Sequence, residues 1–355
     1  MFTVKKKVIG SLTKCYSVAR IIDRGKPRLL CAAEKQDPCY LFETDGTLVD
    51  TLWEGPGGVM TLEQFNSPAV EETIVMATYR FYSPNDSAGA KIMYYTRKPE
   101  GGWQENVLCD LPFVHRFGIL PRNGKNYLVA CTLKSAHAFK DDWTCPGRIW
   151  VAKLPEDIRQ FHADNQLQLT PLVSGLFRNH GFSKVITEDE VFCLVGTHSG
   201  VYRVAPPETE GGEWDAELLM DGEISDILYE DFDGDGEREL LTFGPFHGKN
   251  LEVWKKTAAG FESCWKYPEE LPFLHAITSA KVGARRVAFL GNREGRKELM
   301  ALYYDKKKKS YVYDILDSGA GPANVLYFEE DEKSYLLAAN RETDEIALYE
   351  LNEEA

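Results

Sequence analysis

Short apolar runs separated by turn-forming residues make up most of the chain, and this pattern predicts β-strands rather than helices. The clearest unit contains four such runs: Ile224 to Glu230, Glu239 to Phe243, Leu251 to Lys255 and Phe261 to Lys266. Segments rich in Gly, Asp and Pro separate these runs and predict turns. The period of about 3.6 residues that marks an amphipathic helix is almost absent, and the best helical stretch is Pro155 to Asp164.

The same four-strand pattern fits seven windows of the sequence. First strands are predicted to begin near Tyr16, Val59, Val114, Gly181, Ile224, Leu274 and Ala323. Their spacing of about 43 to 67 residues lies mostly near the roughly 40 to 50 residues of a four-stranded propeller blade. The last window has three strands, and Thr3 to Ile9 is a spare strand ahead of the first window.

These windows predict an all-β fold, a seven-bladed β-propeller that forms a single domain over residues 1–355. The N-terminal strand, about residues 3–9, is expected to complete the last blade, because this closure removes two exposed sheet edges. A pair of β-sandwiches or an open solenoid is the alternative architecture.

The composition limits which classes of partner the protein is expected to bind and in which compartment it is expected to work. The net charge is −14, which disfavours binding to nucleic acid or to an anionic membrane surface. No apolar run reaches the roughly 18 residues of a membrane span, and the N-terminus lacks the pattern of a signal peptide. The eight cysteines include no CxxC pair, which favours free thiols in a reducing compartment. We expect a cytoplasmic protein, and the sequence does not indicate its oligomeric state.

One turn carries carboxylates at a metal-binding spacing. Acidic residues occupy positions 1, 3, 5 and 9 of this turn: Asp231, Asp233, Asp235 and Glu239. Hard oxygen ligands at this spacing can surround one Ca²⁺ ion, so we predict a structural calcium site. A metal-free turn and a regulatory calcium site are the alternatives.

The position of this turn, between a first and a second strand, resembles the FG-GAP/VCBS repeat of integrin-type propellers. Phe243-Gly244-Pro245 stands where that repeat carries its Phe-Gly pair. Taken repeat by repeat, the resemblance covers nearly the whole chain. The corresponding turns of the other windows lack the acidic pattern, so we expect at most one ion of this kind.

Six of the seven histidines map to one face of the predicted propeller. On this face the fourth-to-first and second-to-third connections open, and ligand sites commonly lie where the first kind meets the central channel. His115, His180 and His275 lie where first strands begin, nearest the axis, whereas His137, His198 and His247 lie in second-to-third connections. Imidazoles from separate strands can hold one borderline metal, so we predict a site for Mn, Fe, Ni or Zn at His115, His180 and His275.

Other polar residues of this face are candidates for proton transfer and substrate binding. The candidates for proton transfer are His137 and Lys134 as general base, and Tyr82 and His247 as proton donor. The predicted substrate-binding residues are Arg293, Arg341, Asn340, His198 and Asp142. The alternative for both arginines is an ion pair with the neighbouring Glu294 or Glu342. Asp142 is alternatively a brace for the inserted loop that carries it, and Lys140 of the same loop also maps to this face.

The architecture and the histidine-bearing face are loosely similar to the aldos-2-ulose dehydratase propeller and to the oligogalacturonate lyases. This resemblance implies elimination or isomerisation on an oxidised sugar. We therefore predict a metal-dependent lyase, dehydratase or isomerase whose substrate, a small oxidised sugar or uronate, binds in the central channel. The metal would stabilise the enolate that forms when the neighbouring C–H bond loses its proton. A non-catalytic propeller that binds a protein or a glycan through the same face is the alternative.

Overall fold

The computed structural model describes residues 1–139 and 141–353. Within them, short apolar runs that alternate with turn residues form 28 strands. The first strand is β1 (Phe2–Ser11), and six sheets of four consecutive antiparallel strands follow it. Blade one contains β2 (Cys15–Asp23), β3 (Lys26–Ala33), β4 (Cys39–Phe42) and β5 (Leu48–Trp53). Blade two contains β6 (Leu62–Ser67), β7 (Val70–Tyr79), β8 (Lys91–Arg97) and β9 (Trp103–Asp110). Blade three contains β10 (Val114–Arg122), β11 (Lys125–Lys134), β12 (Pro146–Leu154) and β13 (Thr170–Leu176).

The next three blades repeat this order. Blade four contains β14 (Gly181–Ile186), β15 (Val191–Gly196), β16 (Gly200–Ala205) and β17 (Asp215–Asp221). Blade five contains β18 (Asp226–Glu230), β19 (Glu239–Gly244), β20 (Asn250–Thr257) and β21 (Gly260–Lys266). Blade six contains β22 (Leu274–Val282), β23 (Arg285–Asn292), β24 (Leu299–Asp305) and β25 (Ser310–Asp317).

The last blade joins the two ends of the chain. It contains β26 (Asn324–Glu330), β27 (Lys333–Asn340) and β28 (Glu345–Glu353), and its fourth strand is β1. β1 runs antiparallel to β28, so that Phe2 faces Glu353 and Ser11 faces Glu345. The predicted seven-bladed propeller and its closure by the N-terminal strand are thus confirmed.

The core lies between the blades. Among the described residues it divides into seven clusters of buried apolar side chains, each shared mainly by two neighbouring blades. Between blades six and seven, for example, Phe289 of β23 and Leu336 of β27 are both fully buried. Strands of a blade therefore present apolar side chains on both faces, as expected for sheets that are covered on both sides.

The predicted and observed elements differ in two places. Blade two begins at Leu62 rather than near Val59, because the backbone amide of Val59 still bonds across to Ala33 of blade one. The predicted helix at 155–164 is wrong: the segment forms only a single 3₁₀ turn, Ile158–Gln160, which Asp157 caps. Phe161 is extended after this turn and packs against the core, so tertiary contacts end the helix.

Within the described residues, no helix has the length and apolarity needed to cross a bilayer.

Candidate functional site

A recurring backbone turn delivers one side chain of several blades to the propeller axis. In four blades a residue with positive φ stands two positions before the inward-pointing side chain: Lys14 (φ 52), Phe113 (φ 65), Arg178 (φ 55) and Phe273 (φ 58). The side chains so placed, which we call the axial residues, are Tyr16, His115, His180 and His275. Met60 and Ala323 occupy the same place after Gly58 (φ 77) and Gly321 (φ 63). In blades one, three and six the axial residue is also the extra residue of a β-bulge in the first strand.

The axial residues contact one another although they come from different blades. The Tyr16 hydroxyl lies 2.8 Å from Nε2 of His275. The ring of His180 lies 4.4 Å from that of His115 and 5.2 Å from that of His275, between ring centroids. These contacts join blades one, three, four and six at one point.

His247 completes a cluster of three imidazoles, which we call the His triad: His180, His247 and His275. It follows β19 and has a positive φ of 49°, and its ring is stacked between Phe246 (3.9 Å) and Phe273 (4.5 Å). One ring nitrogen of each triad residue lies within 4.8 Å of those of the other two. Nε2 of His247 and Nε2 of His180 are 3.3 Å apart. Two nitrogens that bind one tetrahedral ion at about 2.1 Å lie about 3.4 Å apart, so this spacing suits a shared metal.

Hydrogen bonds at Nδ1 fix the tautomers of two triad residues, His180 and His275. Nδ1 of His275 lies 2.6 Å from the carbonyl oxygen of Ala323. Nδ1 of His180 lies 2.9 Å from a carboxylate oxygen of Asp226 and 3.2 Å from the carbonyl oxygen of Ser225. Because these acceptors hold the proton on Nδ1 of His180 and His275, Nε2 of each residue carries the lone pair. Nε2 of His180 faces His247, and Nε2 of His275 accepts from the Tyr16 hydroxyl, which a metal at this nitrogen would displace. Metal-binding histidines are commonly oriented by this kind of outer hydrogen bond.

Burial favours the neutral form of His115, His247 and His275. It lowers the pKa of His115, His247 and His275 well below the ordinary value, and the positive charges of Arg116 and Arg293 lower the pKa of His247 and His275 further. Neutral imidazole is the form that binds a metal. Burial also raises the pKa of Tyr16 to about 12, so its hydroxyl stays protonated at neutral pH and donates to Nε2 of His275.

The triad differs from the predicted metal site by one residue. His180 and His275 belong to it as predicted, whereas His247, predicted as a proton donor, stands in the place expected for His115. His115 is buried against His180, and its Nδ1 has no hydrogen-bond partner among the described residues. The second-to-third connection of blade five folds inward over the axis, and this brings His247 closer to His180 than the strand register indicates.

The residues predicted as general bases have no contact with the triad among the interactions of the described residues. Lys134 is fully buried, and its ammonium donates to Oδ1 of Asn85 (2.7 Å) and to the carbonyl of Asp142 (2.9 Å). Burial lowers the pKa of Lys134. His137 is half-buried with its ring 5.6 Å from that of Phe113, and its Nδ1 has no hydrogen-bond partner in the described chain. Phe113 immediately precedes the first strand that carries His115.

Tyr82 has no contact with the triad among the interactions of the described residues. It is half-buried near Gln36, and burial raises the pKa of its hydroxyl. The proton donor that lies against the triad is instead Tyr16. An alignment of the seven repeats could have found it, because Lys14-Cys15-Tyr16 occupies the place of Phe113-Val114-His115 and Phe273-Leu274-His275.

Both arginines predicted to bind substrate are held by carboxylates. Arg293 lies 2.9 Å from Glu342, and Arg341 bonds to Glu342 at 2.7 Å and also to Glu34. The alternative of an ion pair with Glu342 is therefore the arrangement observed. This network links blades six, seven and one across the upper face, the face on which the His triad lies.

The other predicted substrate-binding residues have structural partners. Asn340 is fully buried and donates to the Tyr349 hydroxyl at 2.9 Å, and Nδ1 of His198 accepts from the backbone amide of Phe177 at 3.2 Å. Asp142 accepts from the backbone amides of Ala138 (2.8 Å) and Thr144 (2.9 Å), and these bonds hold its pKa at about 2. Asp142 thus braces the inserted loop, which is the alternative considered for it. Lys140 lies outside the described residues.

The acidic turn of blade five brings its four carboxylates together as predicted. One oxygen each of Asp231, Asp233, Asp235 and Glu239 lies within 4.8 Å of the others. The ammonium of Lys255 lies among them, 2.6 Å from Asp233, 2.5 Å from Asp235 and 3.3 Å from Glu239. Burial lowers the pKa of Lys255, but its hydrogen bonds to Asp233 and Asp235 outweigh this effect and raise it above its ordinary value. The turn therefore carries an internal cation of its own.

The fold and the axial site define the class of the protein, a seven-bladed β-propeller with a histidine cluster on its axis. No protein-family model and no curated protein sequence matches the chain. Among solved structures it is similar to a streptogramin B lyase, at 14% identity and a TM-score of 0.55, over 99% of this chain and 98% of that one. It is also similar to BBS1N in complex with ARL6DN, at 11% identity and a TM-score of 0.59, over 100% of this chain and 97% of that one. At such identities the likeness shows the fold alone, and the resemblance to FG-GAP/VCBS propellers stays a prediction.

Proposed function

We propose that the protein is a metal-dependent lyase or dehydratase, or an isomerase, that acts on a small oxidised sugar or uronate at the His triad. The observation that carries the proposal is the convergence of three imidazoles, His180, His247 and His275. Ala323 holds Nδ1 of His275, and Ser225 and Asp226 lie against Nδ1 of His180. A set of imidazole ligands suits Mn, Fe, Ni or Zn. A divalent ion held there would supply Lewis acidity towards a carboxylate or carbonyl oxygen of the substrate.

The side chains around the triad can carry out the proton transfers of an elimination. A base removes a proton from the carbon next to the carboxylate or carbonyl, the bond from the adjacent carbon to oxygen breaks, and a C=C bond forms. Of the two predicted bases, His137 has a ring nitrogen without a partner among the described residues, whereas the ammonium of Lys134 is held by two acceptors. Tyr16, with a pKa of about 12, keeps its proton at neutral pH and can deliver it to the leaving oxygen.

Removal and return of the metal test the proposed activity. We expect protein purified without chelator to form an unsaturated product from uronates or keto-sugars, which is followed by its ultraviolet absorbance. Chelation should abolish turnover, and Mn, Fe, Ni or Zn should restore it, because the imidazoles alone polarise no substrate oxygen. Tyr16→Phe is the matched variant that removes only the hydroxyl, and it should keep the metal. Protein that holds none of these metals overturns the proposal.

A non-catalytic role in binding is the second candidate, and one observation favours it. The inserted loop between β11 and β12 carries Phe139, which is 65% exposed on the histidine-bearing face. An exposed aromatic side chain is a common anchor for a protein or glycan partner. If the chain holds no transition metal, this face should be tested by glycan and protein binding instead.

We further propose that the acidic turn of blade five holds a structural Ca²⁺ ion in competition with Lys255. Glu239 is fully buried, and its Oε1 has no hydrogen-bond partner in the described chain, so an oxygen ligand is left over. Burial raises the pKa of Glu239 because it disfavours the charged carboxylate, and a nearby cation offsets this effect. Lys255 supplies that cation from within the chain, and calcium would have to displace its ammonium.

Removal of this ammonium should strengthen calcium binding. The Lys255→Met variant keeps the length of the side chain but removes the charge that repels Ca²⁺, so we expect its calcium affinity to rise at least about tenfold. Lys256→Met, at the exposed neighbouring position, is the matched control and should leave the affinity unchanged. Titration calorimetry with Ca²⁺ measures both. Equal calcium affinities in the wild type and in Lys255→Met would show that the ammonium and the ion do not compete.

We also propose that the chain works in the reducing cytoplasm. All eight cysteines are free thiols, and six of them are buried in the blades. Free, buried thiols are typical of proteins from reducing compartments.

A further inference from the structure

A cavity occupies the central channel next to the His triad. It has a volume of about 370 Å³ and is lined by the first strands of all seven blades. Asp226, whose carboxylate lies 2.9 Å from Nδ1 of His180, forms part of its wall, so the cavity adjoins the triad. A volume of this size accommodates a small molecule.

The charges in the wall of this cavity are paired, with one exception. Lys184 pairs with Glu63 at 2.5 Å, Arg20 pairs with Glu330 at 2.9 Å, and a carboxylate oxygen of Asp226 lies 2.9 Å from Nδ1 of His180. Among the described residues no carboxylate lies within ion-pair distance of Arg116. The one side-chain hydrogen bond of Arg116 within the described part of the chain runs from an Nη to the carbonyl of Met60, at 2.5 Å. The remaining N–H groups of this half-buried guanidinium are therefore available to a ligand in the channel.

Arg116 also lies close to the candidate metal site. It follows the axial residue His115 directly in β10. Arg116 and Asp226 line the same cavity, and a carboxylate oxygen of Asp226 lies 2.9 Å from Nδ1 of His180. A ligand that Arg116 holds in this cavity therefore shares it with Asp226, the neighbour of His180.

We propose that Arg116 binds the carboxylate of a small hydroxylated acid, such as a uronate or an aldonate, in the channel beside the His triad. A planar guanidinium matches a carboxylate with two parallel hydrogen bonds. A single unpaired cation suits a monoanion better than a phosphate dianion, because Asp226 contributes a negative charge to the same wall. The arginines of the upper face cannot take this role, since Glu342 and Glu34 already hold them. This inference rests on the proposed function, in that it names the substrate class.

Calorimetry with matched charged and neutral ligands tests the assignment. The probes are D-galacturonate and D-gluconate, with D-galactose and D-glucose as their neutral counterparts. The wild type should bind each acid more tightly than its neutral counterpart. Arg116→Gln should weaken the binding of the acids about ten- to a hundredfold, as expected for loss of a charge-assisted pair. Arg20→Gln, which changes a paired arginine in the same wall, should bind the acids as the wild type does.

Two further measurements separate this inference from the proposed function. Arg116→Gln should keep the same metal content as the wild type, because Arg116 is not a ligand of the triad. Suppose that protein without a transition metal still binds the acids, and that this binding is lost in Arg116→Gln. That result would support the channel site and overturn the enzymatic proposal. Failure of the wild type to bind either acid more tightly than its neutral counterpart, or unchanged binding in Arg116→Gln, would overturn the channel site itself.

Discussion

Replacing any one of His180, His247 and His275 with Ala should lower the affinity for a transition metal by more than about a hundredfold. Loss of a partner that only orients a ligand typically costs about 10- to 100-fold, and loss of the ligand itself should exceed this range. Elemental analysis by mass spectrometry, on untagged protein purified without chelator, gives the metal content. We expect nearly one equivalent in the wild type and a large loss in each variant.

Matched variants make this expectation specific. His198→Ala removes a histidine of the same face that bonds to Phe177 outside the triad, so its metal content should equal that of the wild type. Asp226→Asn removes the negative charge beside Nδ1 of His180 but keeps all three imidazoles, so it should have an intermediate effect. Circular dichroism should show the same strand content in all of them. Full metal occupancy in His180→Ala would exclude the triad as the binding site.

Deleting residues 2–11 should abolish the cooperative fold, because it removes the fourth strand of blade seven and leaves β28 with an open edge. The strand contributes more than backbone pairing. Phe2 is buried, its ring meets that of Tyr303 of blade six at 5.2 Å, and its amide donates to Asp314 at 2.7 Å. Lys6 pairs with Glu345 at 2.8 Å and with Asp317 at 3.2 Å. β1 therefore holds blades six and seven together as well as closing the ring.

Point variants quantify the contribution of this strand. Phe2→Ala should lower the free energy of unfolding by about 3–5 kcal/mol, the usual cost of emptying a buried aromatic site. Val8→Ala in the same strand is the control: Val8 is 51% exposed, so the change should stay within about 0.5 kcal/mol. Urea unfolding followed by tryptophan fluorescence measures both. Equal stabilities of the two variants would show that the N-terminal strand does not contribute to the core.

The fold could be predicted because its signal is local and repeated. Each blade needs four short apolar runs with turns between them, and the spare strand before Tyr16 matches the strand missing after β28. The helix at 155–164 was predicted wrongly because the apolar side chains of Ile158 and Phe161 pack against the core from a single turn. Hydrophobic periodicity cannot distinguish a helix from a single turn whose apolar side chains pack against the core.

The candidate site could be predicted only in part, because it depends on which side chains meet across blades. His180 and His275 are placed by strand register, which the sequence carries. The approach of His247 depends on how the turn after β19 folds over the axis, and the sequence does not indicate this. Likewise, the sequence does not show that Arg293 and Arg341 are both paired with Glu342. Arg116 looks like an ordinary strand residue in the sequence, yet it has no carboxylate partner in the described chain.

The axial turns have an evolutionary consequence. Because several blades bring one side chain to the centre from the same backbone geometry, the centre can change composition one codon at a time while every strand stays intact. Met60 and Ala323 already stand at such positions without a ligand group. Substitutions at these few sites are therefore enough for a lineage of propellers to acquire, lose or exchange a metal. Sequence similarity between its members would then reflect the shared fold rather than a shared chemistry.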